Sequence, residues 1–211
     1  MAYVTLAQVR AYRGFGDADT DDDALLTDLI ARASAMLEVE TGRVFEAEAD
    51  STRYFAVDDY AGDYSMVSPA PLPSGYVTVW SDDYRTLYFD DDLCAVTTIV
   101  NGDGTTISSS NYAMLPRNHT PYHAVRLLTT ADGWVRGADK EVSITGRWAY
   151  SVSAPVDVQQ AIIEWTIYLY EKRDSVLDSA RPGMSRDGVV LLASQLPDSV
   201  KRCIKKYRRL V

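Results

Sequence analysis

The sequence predicts an α+β protein in which helical segments at both ends of the chain enclose an all-β insert. Three observations carry this expectation. Residues 1–43 and 151–176 repeat apolar side chains at three and four, residues 44–150 break into short strand-like runs between turn clusters, and the last dozen or so residues return to a helical stripe. The N-terminal helices and two C-terminal helices are expected to form one bundle, and the insert a barrel or a sandwich. Four segments follow: N-terminal helices over 1–43, the β-rich insert over 44–150, a central helix within 151–176, and an extended arm with a basic amphipathic helix over 177–211.

In VTLAQV, Thr5 caps a first helix, Gln8 reaches back to it, and Val4 is placed to pack on Val9. This helix runs to about Tyr12 and is ended by Gly14 and Gly16. The run DADTDDD that follows invites comparison with a calcium loop, since Asp17, Asp19 and Asp21 occupy loop positions one, three and five. Position six, however, is Asp22 rather than glycine, and position twelve is Asp28 rather than the longer glutamate. A helix start explains the run better: Thr20 caps, and Asp21, Asp22 and Asp23 sit where the helix dipole favours negative charge. Leu25, Leu26, Leu29, Ile30, Ala33, Met36 and Leu37 then form one apolar face, and Gly42 stops the helix.

From Arg43 to Tyr150 the strand-like runs are RYFAV, YVTVW, RTLYF, AVTTIV, HAVRLL and KEVSITGRW, with turn clusters at APLPSG, NGDGTT and ADGWVRG. NGDG, residues 101–104, suits a hairpin turn because Asn and Gly accept positive φ. Helical pattern resumes after Pro155, where Asp157 and Gln160 supply a second candidate capping box. In the helix beyond, Val158, Ala161, Ile162, Ile163, Trp165, Ile167, Tyr168, Leu169 and Tyr170 cover most of the circumference. Leaving half of them in water would forgo about 1.5–3 kcal/mol each, so the helix belongs in the middle of a core, between subunits, or both. Residues 175–197 read as an extended arm whose VVLL needs cover. Last, Val200, Cys203, Ile204, Tyr207 and Leu210 form one apolar stripe on a short helix.

With 211 residues, 46% of them hydrophobic, the chain can bury a substantial core. Its formal net charge of -9 conceals a division. Six basic residues, Lys201, Arg202, Lys205, Lys206, Arg208 and Arg209, follow Asp198 with no acid among them; the other 15 basic residues face 30 acidic ones, leaving about -15 on residues 1–198. The N-terminus carries no export signal, and no apolar run is long enough to span a membrane. Cys94 and Cys203 stand apart without a CxxC motif, which argues for two thiols rather than a zinc site or a disulfide.

No catalytic constellation is present: there is no GxSxG, no phosphate-binding lysine loop and no HExxH. His119 and His123 flank Pro121 without a neighbouring acid or cysteine and are expected on the surface. The groups Asp58/Asp59, Asp82/Asp83 and Asp90 to Asp92 are expected in solvated turns. No enzyme activity, cofactor or metal follows from these residues. The basic tail is too small a patch, beside so acidic a body, for an autonomous DNA-binding domain, and its stripe is too short and poor in Trp and Phe for a membrane helix. Docking into an acidic partner and simple packing on its own domain both remain open.

Taken in order, YVTLAQVRAYRG, TDDDALLTDLIARASAMLEVETGRVF, a β-rich middle with NGDGTTISSSNYAML and VSITGRWAY, PVDVQQAIIEWTIYLYEKRD and LPDSVKRCIKKYRRL resemble the head-tail connector (adaptor) proteins of long-tailed double-stranded DNA bacteriophages. The long β insert is similar to that of the larger members. The resemblance implies a structural virion protein, made in the host cytoplasm and located in the neck between capsid and tail. Roughly a dozen copies would form a ring under the portal, meet a head-tail stopper or tail-completion protein, and let packaged DNA pass without sequence-specific binding. It implies that the helices at 23–41 and 156–173 make the ring body. Trp165, Tyr168 and Tyr170 would then lie at subunit seams, and Val200, Ile204, Tyr207, Arg208 and Arg209 would meet the portal protein. A rival reading makes the insert a carbohydrate- or host-surface-binding module, with Tyr60, Tyr64, Tyr76, Trp80 and Tyr84 as stacking residues and the helices as its base.

Overall fold

In the computed structural model the described residues are 2–16, 20–47, 49–56, 85–129, 131, 133–135, 141–175, 183–184, 190–191 and 196–209. The chain divides into two compact units, residues 1–43 with 154–211, and residues 44–153.

The first unit is helical, with α1 over Leu6–Arg13, α2 over Asp23–Thr41, α3 over Val156–Ser175 and α4 over Asp198–Tyr207. α1 begins at the expected capping box: the Gln8 amide donates to the Thr5 hydroxyl and the Thr5 amide donates to the Gln8 side chain at 2.8 Å. Gly14 closes it in the left-handed region at φ 77°. Val4 and Val9 are both buried.

The start of α2 differs from expectation, because its N-cap is Asp22 and no side chain caps it. Thr20 offers only its backbone carbonyl, to the amide of Asp23 at 3.2 Å. The aspartates are engaged elsewhere: Asp22 accepts from the Tyr170 hydroxyl, and Asp23 pairs with Arg10, which also donates to the Gly16 carbonyl at 2.7 Å. Long-range partners thus set this terminus, not a local cap. Asp17 and Asp19 lie outside the described residues. Leu26, Leu29, Ile30, Ala33 and Leu37 are buried, whereas Met36 turns outward with Val39.

α3 packs against each of the other three helices, and α2 also meets α1 and α4. On α3, Val158, Ala161, Ile162, Ile163, Trp165 and Thr166 are buried, Gln159, Gln160 and Glu164 between them are half-buried, and so are Ile167 to Tyr170. The expected box at its start does not form. Asp157 is taken by α4, and Gln160 donates forward to Glu164 at 2.8 Å. In the arm, β7 (Gly183–Met184) pairs antiparallel with β8 (Val190–Leu191).

The second unit contains β1 (Ser51–Ala56), β2 (Thr86–Leu93), β3 (Ala95–Val100), β4 (Tyr112–Leu115), β5 (Tyr122–Leu127) and β6 (Glu141–Arg147). Two antiparallel three-stranded sheets run in the orders β1-β6-β3 and β2-β5-β4. Phe55, Leu87, Phe89, Leu93, Ile99, Val125, Val142, Ile144 and Trp148 from both sheets share one core. NGDG is a tight turn: the Gly104 amide donates to the Asn101 carbonyl at 2.9 Å, with Gly104 at φ 86°. Asp90 to Asp92 form part of β2, not a turn; Asp91 pairs with Arg53 and Asp92 is buried. Asp58, Asp59, Asp82 and Asp83 lie outside the described residues, as does the run YVTVW.

Candidate functional site

The candidate site is α4 with the groups that hold it. Pro197 precedes the helix and removes one amide that would lack a partner there, Asp198 lies in the first turn, and Lys205 and Lys206 lie in the last, all favourable to the helix dipole. Its inner face is fully used within the helical unit, since Val200, Cys203 and Tyr207 are at most 5% exposed.

Polar contacts pin both ends of α4. At its start, the Ser199 hydroxyl donates to Glu164. At its end, the Tyr207 hydroxyl donates to the two oxygens of Asp157 at 2.8 and 3.0 Å, and the Lys206 ammonium donates to Asp157 Oδ2 at 2.6 Å. The Arg43 guanidinium donates to the Tyr207 carbonyl at 2.7 Å, and the Arg209 amide to the Thr41 carbonyl at 2.9 Å. α4 is therefore latched to the start of α3 and the end of α2.

Charge around the latch follows from these contacts. Partial burial works to raise the Asp157 pKa, but hydrogen bonds from Lys206 and Tyr207 outweigh it and hold the carboxyl below its usual range. Its own hydrogen bonds, to Asp157 first and then to Tyr207, raise Lys206, while burial first of all pushes the Tyr207 phenol up. Burial, helped by the Asp157 charge, lifts the Cys203 thiol to about 11. That thiol is a poor nucleophile at neutral pH.

The outer face of α4 carries Lys201, Arg202, Lys205, Lys206 and Arg208, all exposed, around a half-buried Ile204. A concavity of about 590 Å³ is lined, among the described residues, by Lys201, Ile204, Lys205, Lys206 and Arg208. A second, of about 220 Å³, lies on the side of α3 and includes Asp157, Gln160, Ser199, Arg202, Cys203 and Lys206.

The residues expected at a portal contact thus separate into two groups. Val200 and Tyr207 belong to the unit's own core, while Ile204, Arg208 and the half-buried Arg209 reach the surface. Asp157, Glu164 and Arg43 complete the arrangement; Glu164 and Arg43 carry no signal of it in the sequence and Asp157 reads there as a cap, because their partners lie 35 to 164 residues away.

The residues expected at subunit seams also differ among themselves. Trp165 is 1% exposed, with its indole Nε1 lacking a hydrogen-bond partner among the described residues. Tyr168 is half-buried with the Lys172 ammonium 4.7 Å above its ring. Tyr170 packs edge-on against Phe15 at 5.8 Å and bonds Asp22. His119 and His123 are exposed. No group of three or more His, Cys, Asp and Glu is placed to hold a metal among the described residues, and no described helix is long and apolar enough to cross a membrane. The aromatic residues Tyr60, Tyr64, Tyr76, Trp80 and Tyr84 lie outside the described residues.

No protein-family model matches the chain, and no curated protein does. Solved structures do share its fold. A chain in the neck of an empty gene transfer agent (GTA) particle, computed with C6 symmetry, superposes with a TM-score of 0.59 at 18% identity, covering 99% of this chain and 91% of that one. A chain in the neck of the native particle, computed with C12 symmetry, gives 0.55 at 16% identity over 98% and 88%. A chain in the virion of the native particle gives 0.53 at 19% identity over 99% and 91%. The likeness includes the β insert as well as the helices, so the expected resemblance to head-tail connectors is met by a neck-protein fold over nearly the whole chain.

Proposed function

We propose that this chain is a structural, non-enzymatic virion protein that assembles as a ring beneath the portal, joins capsid to tail and continues the DNA channel. The observation that carries the reading is the fold likeness to neck chains over 98–99% of the sequence. Those necks were computed with C6 and C12 symmetry, which supports a ring of about twelve copies here.

In this reading the helical unit forms the ring body, with Tyr168 and Tyr170 toward a neighbouring copy and Trp165 supporting the seam from within. The two sheets, which already share one core, form a closed barrel or a sandwich that faces a stopper or tail-completion protein. α4 meets the portal protein, with Ile204, Arg208 and Arg209 at the surface and Val200 and Tyr207 holding the helix in place. An acidic body suits a channel, because attraction to phosphate at every subunit would retard the genome.

The test is genetic. Particles produced without this protein are expected to accumulate as DNA-filled or emptied heads separate from complete tails. Normally tailed particles in its absence would overturn the reading.

A further inference from the structure

We infer that the outer face of α4 is a docking site for an acidic segment that seats one apolar side chain beside Ile204. The inference rests on the neck reading above, which makes the portal the partner, and adds the chemistry of the contact. The occupant is a stretch of the portal protein rich in Asp or Glu with a single aliphatic or aromatic anchor.

Three observations lead here. First, the inner stripe is spent: Val200, Cys203 and Tyr207 are buried in their own unit, and the latch to Asp157 and Glu164 holds the helix there. A partner therefore meets one face of a pre-positioned helix and does not take up the helix whole, which lowers the ordering cost of association.

Second, the outer face combines an apolar centre with a cationic rim. Ile204 is half-buried at the edge of a concavity of about 590 Å³ whose other described lining residues are all cations. Such a site fits an anchor side chain surrounded by carboxylates, the arrangement in which a central apolar contact gives most of the affinity and rim charges give orientation and encounter rate.

Third, the rim has charge to offer. Lys206 is committed to Asp157 and Lys201 lies 3.4 Å from Asp198, but the side chains of Lys205 and Arg208 make no ion pair among the described residues. Duplex DNA would use these cations equally well, yet it gives Ile204 nothing to bury against, and the sequence apart from these cations carries a net charge of about -15, which offers phosphate no further attraction.

The experiment measures affinity of the intact protein for purified portal rings from the same genome. It compares the wild type with Ile204→Asp, with the pair Lys205→Glu and Arg208→Glu, and with Arg32→Glu on the exposed side of α2 as a control. All four side chains point outward or half-outward, so thermal unfolding verifies that each variant is folded. Expected are losses of about tenfold or more for Ile204→Asp and for the charge-reversed pair. Wild-type binding should also weaken as salt rises, with Arg32→Glu unchanged.

If the wild type binds portal rings and the α4 variants bind equally well, this inference is overturned while the neck reading stands. If folded wild type does not bind portal rings, the neck reading fails and takes the inference with it. If the α4 variants change affinity only for mixed-sequence duplex DNA, the face is a nucleic-acid contact and the inference is likewise overturned.

Discussion

Replacing Tyr207 by Phe removes one hydroxyl from a ring that is 5% exposed and leaves the ring's packing in place. The hydroxyl donates to Asp157 at 2.8 and 3.0 Å, and Lys206 shares the same carboxylate at 2.6 Å. A hydrogen bond to a charged acceptor contributes about 1.5–3 kcal/mol when well shielded, and the partly exposed carboxylate reduces this one to about 1 kcal/mol. For a chain of this length such a loss lowers the melting temperature by about 2–4 °C. Thermal unfolding followed by circular dichroism reads the change directly, and a double-mutant cycle with Asp157→Ala separates the bond from other effects of each substitution. pH provides a second arm. The Asp157 carboxyl is held below its ordinary range in the folded protein, so its contribution is complete above the unfolded value near pH 4 and is lost as pH falls through the lower folded value. The stability gap between wild type and Asp157→Ala should therefore be constant near neutrality and close in acid. No coupling in the cycle, or a gap that widens in acid, would refute the latch.

Other consequences are simpler to read. Thr5→Ala removes the cap of α1 and is expected to cost about 1 kcal/mol in urea unfolding. Leu37, fully buried in α2, should cost about 2–5 kcal/mol when cut to Ala, because the truncation leaves a cavity in the core of the helical unit. Gly146→Ala drives a Cβ into the Ala95 carbonyl oxygen, where β3 pairs with β6. Loss of cooperative unfolding of the sheet unit, or a fall in its stability of at least about 1–3 kcal/mol, is the expected result. Cys203, raised to about 11, and the buried Cys94, raised by burial, should react with an aromatic disulfide reagent only when the protein unfolds. Rapid labelling of two thiols in the native state would contradict their placement.

Legibility in the sequence followed the range of the interactions. The Thr5 box, the glycine stops at Gly14 and Gly42 and the NGDG turn are local devices, and all are present. The strand runs around Phe55, Leu87, Ile99, Val125 and Ile144 could be recognised because alternation and β-branching suit a half-buried sheet. β4 is not legible in the sequence: its four half-buried residues carry no alternation, and only pairing with β5 defines them. The start of α2 lies at Asp22 rather than at the expected Thr20 because Tyr170 and Arg10, distant in sequence, claim Asp22 and Asp23. The same holds for Asp157, whose spacing to Gln160 reads as a cap but whose carboxylate serves α4.

The stripe on α4 was visible in the sequence as one amphipathic face, but which part of it stays free was not. Spacing places Val200, Ile204 and Tyr207 together, and only packing separates the buried Val200 and Tyr207 from Ile204. A practical consequence concerns truncation. Deleting residues 199–211 removes the buried Val200, Cys203 and Tyr207 along with the outer face of α4, so loss of binding after such a deletion would not identify the contact.

Electron microscopy of the intact protein mixed with purified portal rings tests the central claim most directly. The account predicts a collar beneath each ring, of about twelve copies in keeping with the C12 symmetry of a neck that shares the fold, with α4 against the portal. Bare portal rings in the presence of excess folded protein would contradict it.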